Sequence, residues 1–310
     1  MSRLYALDVG GSHLGCALVE RGAIVARQTI PVPDARSWVA LTPAIEAAFV
    51  RMGGGADGLA IAFPALVDPL GPRVLSTPRG KYEDAVGFDF VRWARARLGV
   101  EVRLELDGRM SLLGERHAGA LIGVDDAVLL AIGTGIGTAA LIGGALVRGR
   151  SGQASVLGGH VTVSLDGPLC ICGNIGCAEA EASTWALPRL AAELGEAGAA
   201  LRAAPVLDFE TVFREARGGD TGAIRVRDHC LHVWSVAALT MVHAFDPAVV
   251  LVTGGVLRAA DEILPAIRAH IARHGWIARG APQVVAGTLG SDAALLGAEA
   301  LFAQPLAIAA

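Results

Sequence analysis

The sequence predicts an α/β protein of two related lobes, built by duplication, with a cleft between them. Three observations predict it: a glycine-rich hairpin that occurs twice, strands alternating with helices along the chain, and a length of 310 residues. The first hairpin reads Leu7-Asp8-Val9-Gly10-Gly11-Ser12-His13-Leu14-Gly15 and runs on through Gly22 to Val25. The second reads Leu129-Leu130-Ala131-Ile132-Gly133-Thr134-Gly135-Ile136-Gly137 and runs on through Gly144 to Val147. One offset of 122 residues carries Gly11 onto Gly133, Gly15 onto Gly137 and Gly22 onto Gly144. Tight glycine turns present backbone N–H groups in a concavity that suits phosphate oxygens. Two of them point to a nucleotide held between two half-domains.

The elements follow in order. Apolar runs over 4–9, 14–20 and 23–30 predict three strands that open the first lobe. Val39, Leu41, Ile45, Ala48 and Phe49 recur at helical spacing and predict a helix over 37–52. A short buried strand over 58–63 ends at Pro64, and Gly71-Pro72 and Pro78-Arg79-Gly80 mark a loop over 69–81. A helix over 88–98 precedes a strand over 100–106, which delivers Asp107 at its carboxyl end; a helix over 109–119 follows. After the second hairpin come helices over 185–194, 209–216, 228–245, 263–274 and 293–302, with a strand over 249–253 entering Gly254-Gly255. The lobes are expected to span 1–107 and 108–290, the helix over 291–303 closing the first.

Composition narrows the function. An apolar share of 53% can fill two cores. The net charge of −4 and pI near 6.1 give no electrostatic case for nucleic acid or an anionic membrane surface. Residues 127–147 are uncharged and long enough to span a bilayer. They hold five glycines and two threonines and match the first hairpin, so they read as two buried strands and a turn. Asp8 interrupts any leader-like apolar stretch early, so a cytoplasmic protein with no membrane partner is expected.

His160, Cys170, Cys172 and Cys177 form a compact motif, with Gly173 and Gly176 letting its loop fold tightly over 160–179. One imidazole and three thiolates make a closed tetrahedral set that suits structural Zn²⁺. In a reducing compartment, clustered cysteines serve as metal ligands rather than disulfide partners. Cys16 and Cys230 lie in apolar surroundings and read as small core residues.

Asp8-Val9-Gly10-Gly11-Ser12, Gly133-Thr134-Gly135-Ile136-Gly137 and Gly254-Gly255-Val256 thus occur in order, with the cysteine motif between the last two. This set resembles the phosphate-1, phosphate-2 and adenosine motifs of the sugar kinase, actin and heat-shock chaperone superfamily. Within it the chain resembles the ROK family (repressors, open reading frames and kinases). The resemblance runs from Leu4 to the helix after Leu289-Gly290-Ser291-Asp292-Ala293. It implies a two-lobed, actin-like (ribonuclease H-like) ATPase fold, a homodimer, and transfer of the γ-phosphoryl of ATP to a small sugar.

The resemblance also implies roles. Asp107 is the general base for the attacking hydroxyl, although its position equally suits a helix N-cap. Asp8 holds Mg²⁺ through water, although an Asp before Gly-Gly can also cap a turn. Gly10, Gly11 and Ser12, with Gly133, Thr134 and Gly135, cradle phosphates, while Gly254 and Gly255 face the adenosine. Such positioning and charge stabilisation is most of what phosphoryl transfer needs.

The sugar pocket departs from the family pattern. Of the positions assigned to sugar, Leu106 stands where the family has Asn, Leu157 where it has Glu, and Ala65 replaces Gly after Pro64. His160, doubling as a zinc ligand, and Glu179 match. Each lost hydroxyl contact is worth about 1 kcal/mol, or roughly 3 kcal/mol if the hydroxyl is left buried and unpaired. Three outcomes stay open: a sugar lacking or substituting those hydroxyls, contacts restored by Arg79, Lys81 or Tyr82, or loss of catalysis. The favoured expectation is a kinase for a primary hydroxyl, O6 of a hexose or modified hexose.

The alternative is a non-catalytic, sugar-responsive regulator. Regulators of the family carry a DNA-binding helix-turn-helix ahead of the first hairpin, whereas only seven residues precede Asp8. A dinucleotide-binding oxidoreductase does not fit, because Gly133-x-Gly135-x-Gly137 leads into a strand rather than a helix.

Overall fold

Asp8 and Asp107 owe their placement to one sheet. In the computed structural model, which describes residues 3–304, β1 (Arg3–Val9), β2 (His13–Glu20), β3 (Ala23–Pro31), β4 (Gly58–Phe63) and β5 (Glu101–Leu106) form a five-stranded sheet in the order β3-β2-β1-β4-β5. The hairpin strands pair antiparallel, while β1, β4 and β5 run parallel. Every residue of β4 is buried, as expected for a central strand covered on both faces. Asp8 aligns with Ala62, and Leu106 with Phe63. Both carboxylates therefore sit at the carboxyl ends of parallel strands, where open α/β sheets bind ligands.

Helices cover this sheet. α1 (Trp38–Arg51) is capped by Ser37, whose side chain accepts from the Ala40 amide at 3.1 Å. α2 (Phe90–Leu98) is capped by Asp89 and closed by Gly99 in the left-handed region. Trp38, fully buried, is the hub of the core: Phe63, Phe88, Phe90 and Trp93 all lie within 6.0 Å of its ring centre. Such aromatic pairs each add about 0.5–1.5 kcal/mol beyond the area they bury.

The chain divides into two units: residues 3–123, 145–154 and 288–304, and residues 124–144 and 155–287. The sequence reading puts the boundary at 107/108, but α3 (Asp107–Ala118) stays with the first unit. Two glycines explain it. A side chain on Gly114 would meet the Ala293 carbonyl at 1.8 Å, and one on Gly297 would meet that of Met110 at 2.3 Å. Backbone-close packing thus joins α3 to the C-terminal helix, here α8 (Ala293–Ala303). Buried Glu115 reinforces the joint by accepting from the Ala120 and Leu289 amides and the Thr288 hydroxyl.

The second unit repeats the arrangement. Strands β6 (Ala127–Ile132), β7 (Ile136–Ile142), β8 (Val249–Thr253) and β9 (Gln283–Ala286) run β7-β6-β8-β9, a hairpin followed by two parallel partners. This is the order β2-β1-β4-β5 again, so the duplication seen in the glycines extends to topology. Residues 127–147 contribute three strands, the third the two-residue Ala145–Leu146, where the sequence reading expects two, and no helix among the described residues is long and apolar enough to cross a membrane.

Four further helices complete the elements used below: α4 (Ala178–Ala182), α5 (Phe209–Arg217), α6 (Thr221–Phe245) and α7 (Ala260–His274). α6 begins seven residues before the predicted start of 228, because Asp220 caps it by accepting from the Ala223 amide at 2.7 Å.

Candidate active site

The first glycine turn is built so that only glycine fits at its start. The Gly10 amide donates to the His13 carbonyl at 3.2 Å, and a Cβ on Gly10 would lie 2.5 Å from that oxygen. The Gly10 carbonyl accepts from the buried Tyr82 hydroxyl at 2.6 Å, and the Ser12 carbonyl from the Val32 amide. Gly11 and Ser12 are exposed at the tip.

Asp107 is the first residue of α3 rather than a cap preceding a helix at 109. Its Oδ1 accepts from the Gly108 amide at 2.7 Å. Asp107 is exposed, yet protein atoms crowd its carboxylate. That crowding pushes its pKa above the ordinary carboxylate range, while the Gly108 amide and the Lys81 ammonium pull it back. Asp8 is pushed up to about 7, by burial first and by the Asp107 charge second. A crowded carboxyl beside a second carboxylate attracts either a proton or a cation.

Of the predicted sugar residues in the first unit, Ala65 is buried and Leu106 half-buried. The Leu106 amide donates to Glu105 Oε1, which also accepts from Arg109 Nη1 at 3.2 Å. Arg109, 1% exposed, donates on to the Val147 and Ala154 carbonyls. A buried ion pair thus brackets Asp107 on both sides.

In the second unit the Gly133 amide donates to the Gly135 carbonyl, and the Gly133 carbonyl accepts from both the amide and the hydroxyl of Thr184. Glu179, on α4, turns one carboxylate oxygen to this turn: Oε2 accepts from the Ile136 amide at 2.9 Å and would lie 2.5 Å from a Cβ on Gly135. Predicted as a sugar contact, Glu179 here buttresses the glycine turn. Thr134 is exposed at the tip.

Gly254 has a φ of 101° and packs so tightly on β6 that a Cβ would meet the Ile132 carbonyl at 2.1 Å. Beside it, Gly255 lines a pocket of about 290 Å³ with Phe209, Phe213, Arg214, Arg217, Val256 and Arg258. Glu210 lines the pocket as well and accepts from Arg258 at 2.8 Å, while Arg217 pairs with Asp261 and Glu262 and Arg214 with Glu215. The sequence reading missed these α5 residues, although the amphipathic pattern of 209–217 was the available signal.

His160 is placed by Gly158 and Gly159, which nest against β7: the Gly158 amide donates to Thr138 Oγ1, and a Cβ on Gly159 would meet the Ile136 carbonyl. Leu157, just before them, is 44% exposed. The ligand atoms of His160, Cys170, Cys172 and Cys177 all lie within 4.8 Å of one another and could hold a metal ion. His160 Nδ1 is 3.5 Å from Cys170 Sγ, and the Cys172 and Cys177 sulfurs are 3.7 Å apart. With Zn–S near 2.3 Å and Zn–N near 2.0 Å, the edges of a zinc tetrahedron are about 3.5–3.8 Å. Burial and the neighbouring sulfurs push the Cys177 thiol up to about 12, and a bound cation would reverse this.

Comparison with known proteins places the chain in a family. Residues 4–305 match the ROK family model. The glucokinase of Thermotoga maritima is 32% identical over 97% of this chain and 98% of its own. Among solved structures, the ROK family glucokinase of Streptomyces griseus in complex with glucose and AMPPNP is 29% identical, with a TM-score of 0.78 over 96% of this chain and 98% of that one. The ROK hexokinase of Thermus thermophilus is 28% identical, with a TM-score of 0.80 over 96% and 97%. The chain belongs to the ROK family and has the actin-like fold of its sugar phosphotransferases.

Proposed function

We propose that this protein is an ATP- and Mg²⁺-dependent kinase that phosphorylates a primary hydroxyl, O6, of a hexose or modified hexose. The observation that carries it is the pair of carboxylates, Asp8 and Asp107, at the carboxyl ends of β1 and β5. Asp107, aimed by the start of α3, accepts the proton of the sugar hydroxyl as its oxygen attacks the γ-phosphorus and ADP departs. Its raised pKa gives it the basicity for that transfer. The turns at Gly10–Ser12 and Gly133–Gly135 hold phosphate oxygens through backbone N–H groups, and Gly254 and Gly255 with the Phe209–Phe213 wall hold the adenosine. Asp8 fits a hydrated Mg²⁺, because its crowded carboxyl gains from a neighbouring cation; the ion supplies charge neutralisation to the phosphates.

Leu106 and Leu157 offer no hydrogen bond to a sugar hydroxyl, which favours a hexose modified at the positions they face. ADP release measured across a panel of hexoses, deoxyhexoses and aminohexoses tests the reading. We expect turnover with at least one of them and a 6-phosphate product by phosphorus NMR. ADP release with none would overturn it.

The four-residue cluster is assigned to structural Zn²⁺. Metal analysis of the purified protein should give about one Zn²⁺ per chain, and Cys172→Ser should lower that content and the melting temperature together. A fully folded, metal-free protein refutes the assignment.

A further inference from the structure

Asn174 stands at the turn of the cysteine loop and reaches three sides of the ligand cluster. Its backbone carbonyl accepts from the Cys170 amide at 2.8 Å, and the neighbouring Gly173 amide donates to the Cys170 carbonyl at 2.9 Å. Its side-chain Nδ2 lies 3.4 Å from Cys177 Sγ and 3.0 Å from Thr162 Oγ1. Thr162, two residues after His160, stands opposite Cys177 in an antiparallel bridge, and Leu169 stands opposite Ile175 in another. One residue thus joins the segments that carry His160, Cys170 and Cys177.

The hydrogens on the Asn174 side chain follow from its neighbours. The Thr162 hydroxyl donates to the Ile175 carbonyl at 3.4 Å, so its oxygen accepts from Asn174. The group facing it is therefore the NH₂, whose two hydrogens go to Thr162 Oγ1 and Cys177 Sγ. Reversed, the amide would set its oxygen against a sulfur that metal coordination leaves without a proton. Cys177 Sγ also lies 3.3 Å from the His160 carbonyl. A coordinated sulfur has no hydrogen to give that oxygen and meets it lone pair to lone pair. The N–H of Asn174, donating to a charged sulfur, offsets that repulsion.

We propose that Asn174 is a positioning residue of the metal site, which strengthens metal binding by donating its side-chain N–H to Cys177 Sγ and fixing the direction of that sulfur. The proposal rests on the four ligands holding Zn²⁺. Groups that orient metal ligands from outside the coordination sphere typically carry about 10–100-fold in affinity. Thr162 has the lesser part: it holds the amide in place without touching a ligand sulfur.

The test is zinc affinity, by competition with a chromogenic chelator, of the full chain as wild type, Asn174→Leu, Asn174→Asp and Thr162→Val. Asn174→Leu keeps much of the side-chain shape and loses the N–H, so its zinc dissociation constant should rise about 10–100-fold. Asn174→Asp turns a carboxylate oxygen toward the sulfur and should weaken binding further. Thr162→Val leaves the Cys177 contact in place and should bind zinc nearly as the wild type does. The same proteins loaded with Co²⁺ give a second readout. An N–H donor lowers the energy of the sulfur lone pairs, so the sulfur-to-cobalt charge-transfer band should move to longer wavelength in Asn174→Leu and stay in place in Thr162→Val. Unchanged zinc affinity in Asn174→Leu overturns the proposal, as does an unmoved band. Asn174→Asp supplies both readings if Asn174→Leu fails to fold. A wild type that binds no zinc would instead sink the assignment of the four ligands.

Discussion

Asp107→Asn is expected to bind both substrates and lower kcat by about 10²–10⁴-fold, the usual worth of a positioned general base. The amide keeps the size of the side chain and can still accept from the Gly108 amide, which it meets at 2.7 Å in the wild type. It cannot take up the proton of the attacking hydroxyl. The loss should therefore fall on kcat, with KM for sugar and for ATP changing little, the pattern of an interaction made only in the transition state. Steady-state kinetics with each substrate varied in turn checks it. A loss confined to KM would mean that the carboxylate binds sugar without accepting its proton.

Asp8→Asn is expected to make the protein more stable above neutral pH while abolishing phosphoryl transfer. The sign follows from linkage. The Asp8 carboxyl, pushed from an ordinary 3.8 to about 7, holds its proton more tightly folded than unfolded. Its contribution to stability is full below pH 3.8, declines as pH rises, and is lost by about pH 7. At pH 8 the folded protein carries an ionised group that burial and Asp107 both oppose. Asparagine removes that charge and should raise stability by up to about 4 kcal/mol at pH 8, with little gain at pH 4. Urea unfolding of both proteins at the two pH values measures the difference, in the absence of Mg²⁺ and ATP. Equal midpoints at pH 8 would show that Asp8 ionises there without penalty. Active sites commonly hold destabilising groups of this kind, because function uses the charge that folding resists.

What could be read before the coordinates depended on how local each feature is. The histidine and three cysteines were plain because the three thiols fall within eight residues and the glycines between them allow a tight loop. The two glycine turns were plain because a repeat is compared with itself. Asp107 was readable as a strand-end carboxylate, although the exact start of α3 was not, since strand and helix meet there without a separating turn. Tyr82 is read from the sequence only as a candidate polar partner for a sugar, with no sign of its bond to Gly10. The Tyr82 hydroxyl meets the Gly10 carbonyl across 72 residues, and no local pattern encodes that meeting. The Glu179 contact to the second turn was hidden for the same reason. So was the place of α3, which rests on Gly114 meeting Ala293 and Met110 meeting Gly297 across the length of the chain.

That glycine-to-backbone joint has a consequence during synthesis. The first unit is built from segments on both sides of residues 155–287 in the sequence, and α8 follows them. Until then the apolar surface of α3 that receives α8 stays open, while residues 155–287 have all emerged and can close their own core. The unit that carries Asp8 and Asp107 thus completes its α3–α8 packing only after residues 155–287 have been made.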